Sequence, residues 1–225
     1  MNNQHEWKVV AKNKKNKKKP LSVIVEDDEP EIENKTPIKS ELLPQPDLTI
    51  FTKEQSTPAE KVDSGSEVIL PHKFVLWCHD IHSKDWSLNG YNKLCTITNV
   101  SEFWRLFNNL EKIGFKTNNF FIMKEGTDPT WEHANNRDGG ICSFRTDIEH
   151  ALKTYEDLCV RMMCSQLVDN ADDINGVSLS PKNNWAIIKI WNKNKKNDLS
   201  KTLKPHILYT YKDMSIKYKE NAPEY

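Results

Sequence analysis

The chain has 225 residues, and its 32 Lys and Arg balance 32 Asp and Glu to a formal net charge of +0. No global field draws it to nucleic acid, so any anion binding has to be built locally. A mean hydropathy of -0.72 with 37% hydrophobic residues is low for a fully packed chain of this length and assigns part of it to unfolded sequence. No apolar stretch approaches the roughly 18 residues of a membrane span, and no apolar segment follows the first charges as a secretion signal would. Five scattered cysteines, Cys78, Cys95, Cys142, Cys159 and Cys164, lack a CxxC pair, which argues against a disulfide framework or a zinc ribbon. The expectation is a soluble protein of a reducing compartment, cytoplasmic with a nuclear pool as an alternative, needing no cofactor or metal.

In chain order, residues 1–67 read as a disordered low-complexity tail. Residues 12–19 are a Lys/Asn run, 26–33 are acidic around Pro30, and Pro37, Pro44, Pro46 and Pro58 punctuate a polar remainder that buries too little to offset ordering entropy. The Lys run fits a nuclear-import signal or a loose attraction to RNA phosphates, and equally a merely solvated stretch. Short apolar patches at 23–25 and 48–51 are weak candidates for partner binding. Residues 68–225 read as one folded domain. Strands are expected at 72–78 (HKFVLWC), 94–100, 120–123, 141–144, 185–191 (WAIIKIW) and 215–219. Helices are expected at 101–113 and 146–165. Strands followed by helices without regular alternation predict an α+β fold, an antiparallel sheet covered by helices on one face.

The first helix is informative. Ser101 is the expected N-cap, and Phe103, Leu106, Phe107 and Leu110 form a stripe at helical spacing that faces the sheet. Trp104 lies about 100° round from Phe103, among the polar Asn108 and Glu111. It is therefore expected to be partly exposed, as a binding anchor or as the edge of the core. Strand alternation in 185–191 sends Ile188 and Ile190 toward the helices and leaves Trp191 and Lys189 on the open face.

Trp86, Trp131 and Trp191 occur in segments that are otherwise polar or strand-like, and Glu132 follows Trp131 directly. Two indole planes can sandwich a purine, stacking being worth about 1–3 kcal/mol per base. A base carrying positive charge adds a cation–π term, and a carboxylate beside one ring can accept two hydrogens from the base edge through charge-assisted bonds. The 7-methylguanosine cap of mRNA is the natural ligand of such a pocket. Cations for its phosphates are nearby in Lys182, Arg137 and Lys189. A rival reading starts from Cys78-His79-Asp80 with His82, an HD pair of the kind that holds a catalytic divalent ion in phosphohydrolases. The other ligands of such a site are not found at a recognisable spacing.

Several ordered motifs resemble the eukaryotic translation initiation factor 4E family of mRNA cap-binding proteins. They are HKFVLW at 72–77, SKDW at 83–86, VSEFWRLFNNL at 100–110, GTDPTWE at 126–132, the Gly139-Gly140 pair and IIKIW at 187–191, so the likeness covers residues 70–219. The resemblance implies a curved antiparallel sheet backed by helices on its convex side, with the cap on the concave side. It implies Trp86 and Trp131 as the stacking pair, Glu132 as the guanine-edge acceptor and Trp191 against the methyl group. It implies a dorsal surface of Trp104, Val100, His72 and Val160 for the helical YxxxxLΦ motif of scaffold or repressor proteins, on a monomeric, non-enzymatic translation factor. A cap-sequestering repressor or decoy is the alternative within the same family. The chain departs from the pattern at Ile141 and Cys142, where a basic residue and a Trp are usual, and at Asn184 and Ile187, where further cations are expected. Lys189 and Arg137 are the candidates to compensate. Tyr155 and Glu156 also depart, in the helix implied to line the dorsal surface.

Overall fold

The structure is a computed structural model and describes residues 67–221. The expected tail, its Lys run and its two apolar patches therefore lie, but for Glu67, outside the described residues, as do residues 222–225. The described chain forms one seven-stranded sheet in the order β2-β1-β3-β5-β6-β4-β7. The strands are β1 (Ile69–Asp80), β2 (Asn92–Asn99), β3 (Asn118–Lys124), β4 (Gly140–Asp147), β5 (Ile174–Pro181), β6 (Trp185–Asn192) and β7 (Ser215–Glu220). Every neighbouring pair is antiparallel, as the sequence predicts.

β5 has no counterpart among the expected strands. Its sequence, INGVSLSP, shows why: Val177 and Leu179 face the main core, whereas the opposite face carries only Gly176, Ser178 and Ser180. That face has to be small. A Cβ on Gly176 would come within 2.4 Å of Met123 Sδ and 2.6 Å of the Ile122 carbonyl oxygen, so a glycine here lets two buried strands meet.

The helices are α1 (Val100–Phe107), α2 (Ala134–Arg137), α3 (Ile148–Met163), α4 (Leu199–Thr202) and α5 (Pro205–Thr210). The N-cap of α1 is Asn99 rather than Ser101: its side chain accepts from the Glu102 amide at 2.8 Å, while Glu102 Oε2 reaches back to the Thr98 amide at 2.6 Å. This reciprocal pair satisfies two donors at once and fixes the helix start one residue early. α1 stops at Phe107, short of the expected 113. Asn109 turns its side chain onto the Arg105 carbonyl at 2.8 Å, competing with the helix ladder, and turns continue to Gly114 at φ +95°. The apolar stripe survives, with Phe103, Leu106 and Leu110 buried. α3 begins two residues later than expected because Thr146 and Asp147 stay paired in β4. α4 and α5 lack the long apolar periodicity that sequence reading needs, yet they bury Leu199 and Ile207.

These elements divide the sheet into two unequal faces. The helix-covered face holds the main core, including Phe74, Leu76, Phe120, Ile122, Phe144, Ile188 and Ile190. The other face carries a small separate cluster of Phe121, Met123, Ile141 and Trp191, edged by Trp77 and Tyr91. The isoleucines of β6 thus point as predicted. All five cysteines are unpaired, and burial pushes the thiols of Cys78 and Cys95 up to about 11 and that of Cys142 up to about 12.

Candidate functional site

The loop joining β1 to β2 presents Trp86. The Ser87 side chain first, and the Ser87 amide donating to Asp85 Oδ1 at 2.9 Å second, hold the Asp85 carboxyl below the usual range. His79, on the open face of β1 and fully buried, places Nε2 at 2.8 Å from the Asp85 carbonyl oxygen, to which it donates. Its imidazole lies flat against Trp86, with centroids 4.0 Å apart and planes 12° from parallel. One face of the indole is therefore backed, and the ring remains 55% exposed. Gly90 is obligatory beside it, because a Cβ there would sit 1.9 Å from the Asp85 oxygen. This arrangement commits His79 Nε2 to the Asp85 carbonyl. Among the described residues no group of three or more His, Cys, Asp or Glu could hold a metal ion.

Trp131 and Glu132 lie on the loop between β3 and β4, which leaves the opposite end of the strands from the Trp86 loop, since β1 and β3 are antiparallel. Both are exposed, Trp131 by 43%. Asn136 is the strut of this loop. It is buried, and its Nδ2 donates to the carbonyls of Asp128 and Thr130, each at 2.8 Å. Asn175 Nδ2 in turn donates to Asn136 Oδ1 at 2.8 Å, and Asn221 Nδ2 to the Asn136 carbonyl at 2.7 Å. The glycine pair seals the loop's return: a Cβ on Gly139 would sit 1.8 Å from the Asn192 oxygen, and one on Gly140 2.2 Å from Tyr218 Oη.

Tyr91 connects the two loops electrostatically. It packs 4.9 Å from His79, 6.3 Å from Trp86 and 5.3 Å from Phe121 between centroids. Burial first, and the charge of Glu132 second, hold its hydroxyl well above the ordinary value. Glu132 is thus within electrostatic reach of the foot of the Trp86 loop. Sequence reading missed His79, Tyr91 and Asn136 as parts of this region, because none carries a distinctive spacing.

Trp191 lies on the open face, as strand alternation requires, but it is only 2% exposed. Its Nε1 donates to Ser178 Oγ at 2.9 Å, and its ring meets Phe121 at 6.2 Å. Packing against Phe121, Met123 and Ile141 makes it part of the floor of that face. Lys189 shares that face, half-buried opposite Ser143 and Ser178. Lys182 is exposed in the turn between β5 and β6, and Arg137 is exposed at the end of α2.

On the helix-covered side, a shallow apolar hollow of about 130 Å³ is lined by Leu70, Val100, Phe103, Trp104, Val160, Met163 and Cys164. Trp104 is 41% exposed and meets Phe103 edge-on at 5.1 Å. His72 stands outside this lining, 3.9 Å from Asp172. Tyr155 does not line it either, being wholly buried against Phe107. A second hollow of about 530 Å³ lies elsewhere, between 111–117 and the start of α3, away from the exposed tryptophans.

The domain is thus an α+β fold, a helix-backed antiparallel sheet with Trp86 and Trp131 exposed on its loops. The sequence profile of the family described as Eukaryotic initiation factor 4E matches residues 69–224, and the chain belongs to that family. It is 30% identical over 131 residues to the Eukaryotic translation initiation factor NCBP of Oryza sativa subsp. japonica, a match covering 56% of this chain and 57% of the relative. The chain thus spans little more than half the length of that relative. A solved structure of Ascaris suum eIF4E-3 with an m2,2,7G cap superposes with a TM-score of 0.59 at 22% identity, covering 71% of this chain and 94% of that one. A complex of C. elegans eIF4E-3 with the 4E-binding protein Mextli and a cap analog gives 0.56 at 17% identity, covering 68% and 92%. These likenesses establish the fold, a curved antiparallel sheet backed by helices.

Proposed function

We propose that the chain binds the 7-methylguanosine cap of mRNA and acts in cap-dependent translation initiation as a cytoplasmic, non-enzymatic factor. Trp86 and Trp131 stack the base between them, Glu132 accepts from its N1 and N2 hydrogens, and Trp191 supports the methyl side from the floor of the face. Arg137, Lys182 and Lys189 hold the phosphates. The observation that carries this reading is the mounting of Trp86. A large ring left 55% exposed is nonetheless backed by a buried imidazole at 4.0 Å, which is preorganisation for a stacking ligand, and the charge of Glu132 reaches the same neighbourhood.

Cap recognition is distinguished from plain guanine binding by charge, because N7 methylation gives the base the positive charge that indole faces attract. Quenching of tryptophan fluorescence is expected with 7-methyl-GTP at concentrations where GTP gives little, with no nucleotide consumed. Equal quenching by the two nucleotides would refute the reading.

The dorsal hollow favours a recruiting factor over a decoy. Val100, Trp104 and Val160 offer an apolar surface of the kind that accepts an amphipathic helix, and a scaffold or repressor helix carrying YxxxxLΦ is the proposed occupant on a monomeric protein. A decoy has no use for such a surface. His72 contributes at the margin, through its approach to Asp172.

A further inference from the structure

We propose that the open face of β6, β4 and β7 is a track for the RNA nucleotides that follow the cap, with the Arg145–Trp185 stack as a base platform and Lys189, Lys217 and Lys219 along the phosphate chain. The proposal rests on the cap reading and adds a second binding region to it.

Register assembles the track from three strands. β4 pairs Ser143 with Lys189 and Arg145 with Ile187, while β7 pairs Lys217 with Ser143 and Lys219 with Ile141. Paired residues share a face, so Lys189, Arg145, Lys217 and Lys219 all emerge on the side that carries Trp191. The alternate residues Ile216 and Tyr218 pack on the main core instead. Asp147, opposite Trp185 at the end of β4, is the acid these three strands place on this face. Glu220 belongs to the other face and pairs with Lys195 at 3.6 Å. A chain whose formal charge is +0 has thus gathered cations on one side of a three-strand segment. Arg145, Lys217 and Lys219 take no part in the ion pairs among the described residues.

Charge alone would suit any polyanion, and the platform narrows the choice. The Arg145 guanidinium lies over the Trp185 ring, 4.4 Å from its centroid. This stack restrains a long side chain and presents a flat cationic plane. Single-stranded RNA is read by such aromatic and guanidinium planes together with phosphate contacts. Neighbouring strands are about 4.8 Å apart, so a row running from Ser178 through Lys189 and Ser143 to Lys217 offers hydroxyls and cations at short, regular steps. Phe121 joins this row to the site, since it pairs with Ser178 on one side and packs against Tyr91 on the other. A phosphate chain leaving the cap pocket therefore meets the track without changing face.

The test compares the full-length protein with its Arg145→Ala/Lys217→Ala/Lys219→Ala variant. Three probes are used in anisotropy titrations between about 50 and 200 mM salt: 7-methyl-GTP, a capped RNA of about ten nucleotides, and the same RNA uncapped. The wild type is expected to bind the capped RNA more tightly than 7-methyl-GTP. The variant is expected to keep its 7-methyl-GTP affinity and to lose the advantage on RNA, with a slope of log K against log salt shallower by about 2, at about 0.7 per lost single-strand contact. Trp185→Ala should weaken capped-RNA binding while leaving that slope unchanged, because stacking releases no counterions. The track is overturned if wild type and variant bind capped RNA alike, or if the variant loses 7-methyl-GTP in proportion, which would place these cations on the cap's own phosphates. A wild type that fails to prefer 7-methyl-GTP over GTP would sink the cap reading alone. In that case a retained difference between wild type and variant on uncapped RNA upholds the track, and no difference overturns it.

Discussion

Replacing His79 by alanine tests how the pocket is preorganised. Besides packing against Tyr91 at 4.9 Å, the imidazole holds the tip of the Trp86 loop by a stack at 4.0 Å and a hydrogen bond to the Asp85 carbonyl at 2.8 Å. An aromatic pair contributes about 0.5–1.5 kcal/mol beyond its burial, and an ordinary hydrogen bond about 0.5–1.5 kcal/mol. Some 1–3 kcal/mol of local restraint on residues 81–91 therefore passes through one ring. Without it, a ligand has to order Trp86 on binding, at about 0.5–1.5 kcal/mol for one immobilised side chain. His79→Ala should weaken 7-methyl-GTP binding by about 2- to 12-fold.

His79→Phe separates the two contacts. It keeps a ring against the indole and loses only the hydrogen bond, so its cap affinity should lie between alanine and wild type. Tryptophan quenching gives the affinity, and guanidinium unfolding gives the global stability of the same variants. The reasoning is refuted if His79→Ala binds 7-methyl-GTP as the wild type does while its unfolding midpoint falls. His79 would then be an ordinary core residue whose neighbour happens to be exposed.

Glu132→Ala should cost about 1.5–3 kcal/mol of cap affinity, the range for hydrogen bonds to a charged group, and a loss within error in the quenching titration would remove Glu132 from the pocket. Trp104→Ala, far from the open face, should abolish binding of a YxxxxLΦ peptide in a calorimetric titration and leave 7-methyl-GTP binding intact. Asn136→Ala leaves the Asp128 and Thr130 carbonyls without their donor and should destabilise the fold by about 1–3 kcal/mol in denaturant unfolding. At pH 8 iodoacetamide should label the exposed Cys164 quickly and Cys78, Cys95 and Cys142 only on unfolding, as read by mass spectrometry, since their raised values leave almost no thiolate. The same three shifts make stability complete below the ordinary thiol value of 9.0 and progressively lost as pH rises toward about 11 for Cys78 and Cys95 and about 12 for Cys142, because the unfolded chain ionises first.

What the sequence made legible was what periodicity and composition encode. The isoleucines of β6, the stripe of α1 and the half-exposed Trp104 all follow from which side chains recur at a spacing of two or of three to four. β5 escaped because a strand buried in mid-sheet has been emptied of the large residues that announce strands: its open face is Gly176, Ser178 and Ser180, so that Met123 and the Trp191 indole can approach. The N-cap of α1 was misplaced for a similar reason. Ser101 is the more familiar signal, but the Asn99 side chain accepting from the Glu102 amide, with Glu102 reaching back to the Thr98 amide, decides the start.

The pocket loops show the same limit from the functional side. Trp86 and Trp131 stand out in the sequence because large aromatic side chains are uncommon in exposed polar segments, and Glu132 because it follows one of them directly. What holds their loops does not, because Asn136, Asn175, Asn221, His79 and Gly90 each act through backbone carbonyls or through the absence of a Cβ, and such partners leave no periodic trace. The two kinds of residue respond differently to substitution. Removing a ring or a carboxylate that meets the ligand should lower affinity at constant stability, whereas removing a strut should lower both together. Measured side by side, Glu132→Ala and Asn136→Ala therefore separate recognition from support: a normal unfolding midpoint is expected for the first and a depressed one for the second, and the reverse pattern would mean that Glu132 braces the loop instead of reading a base.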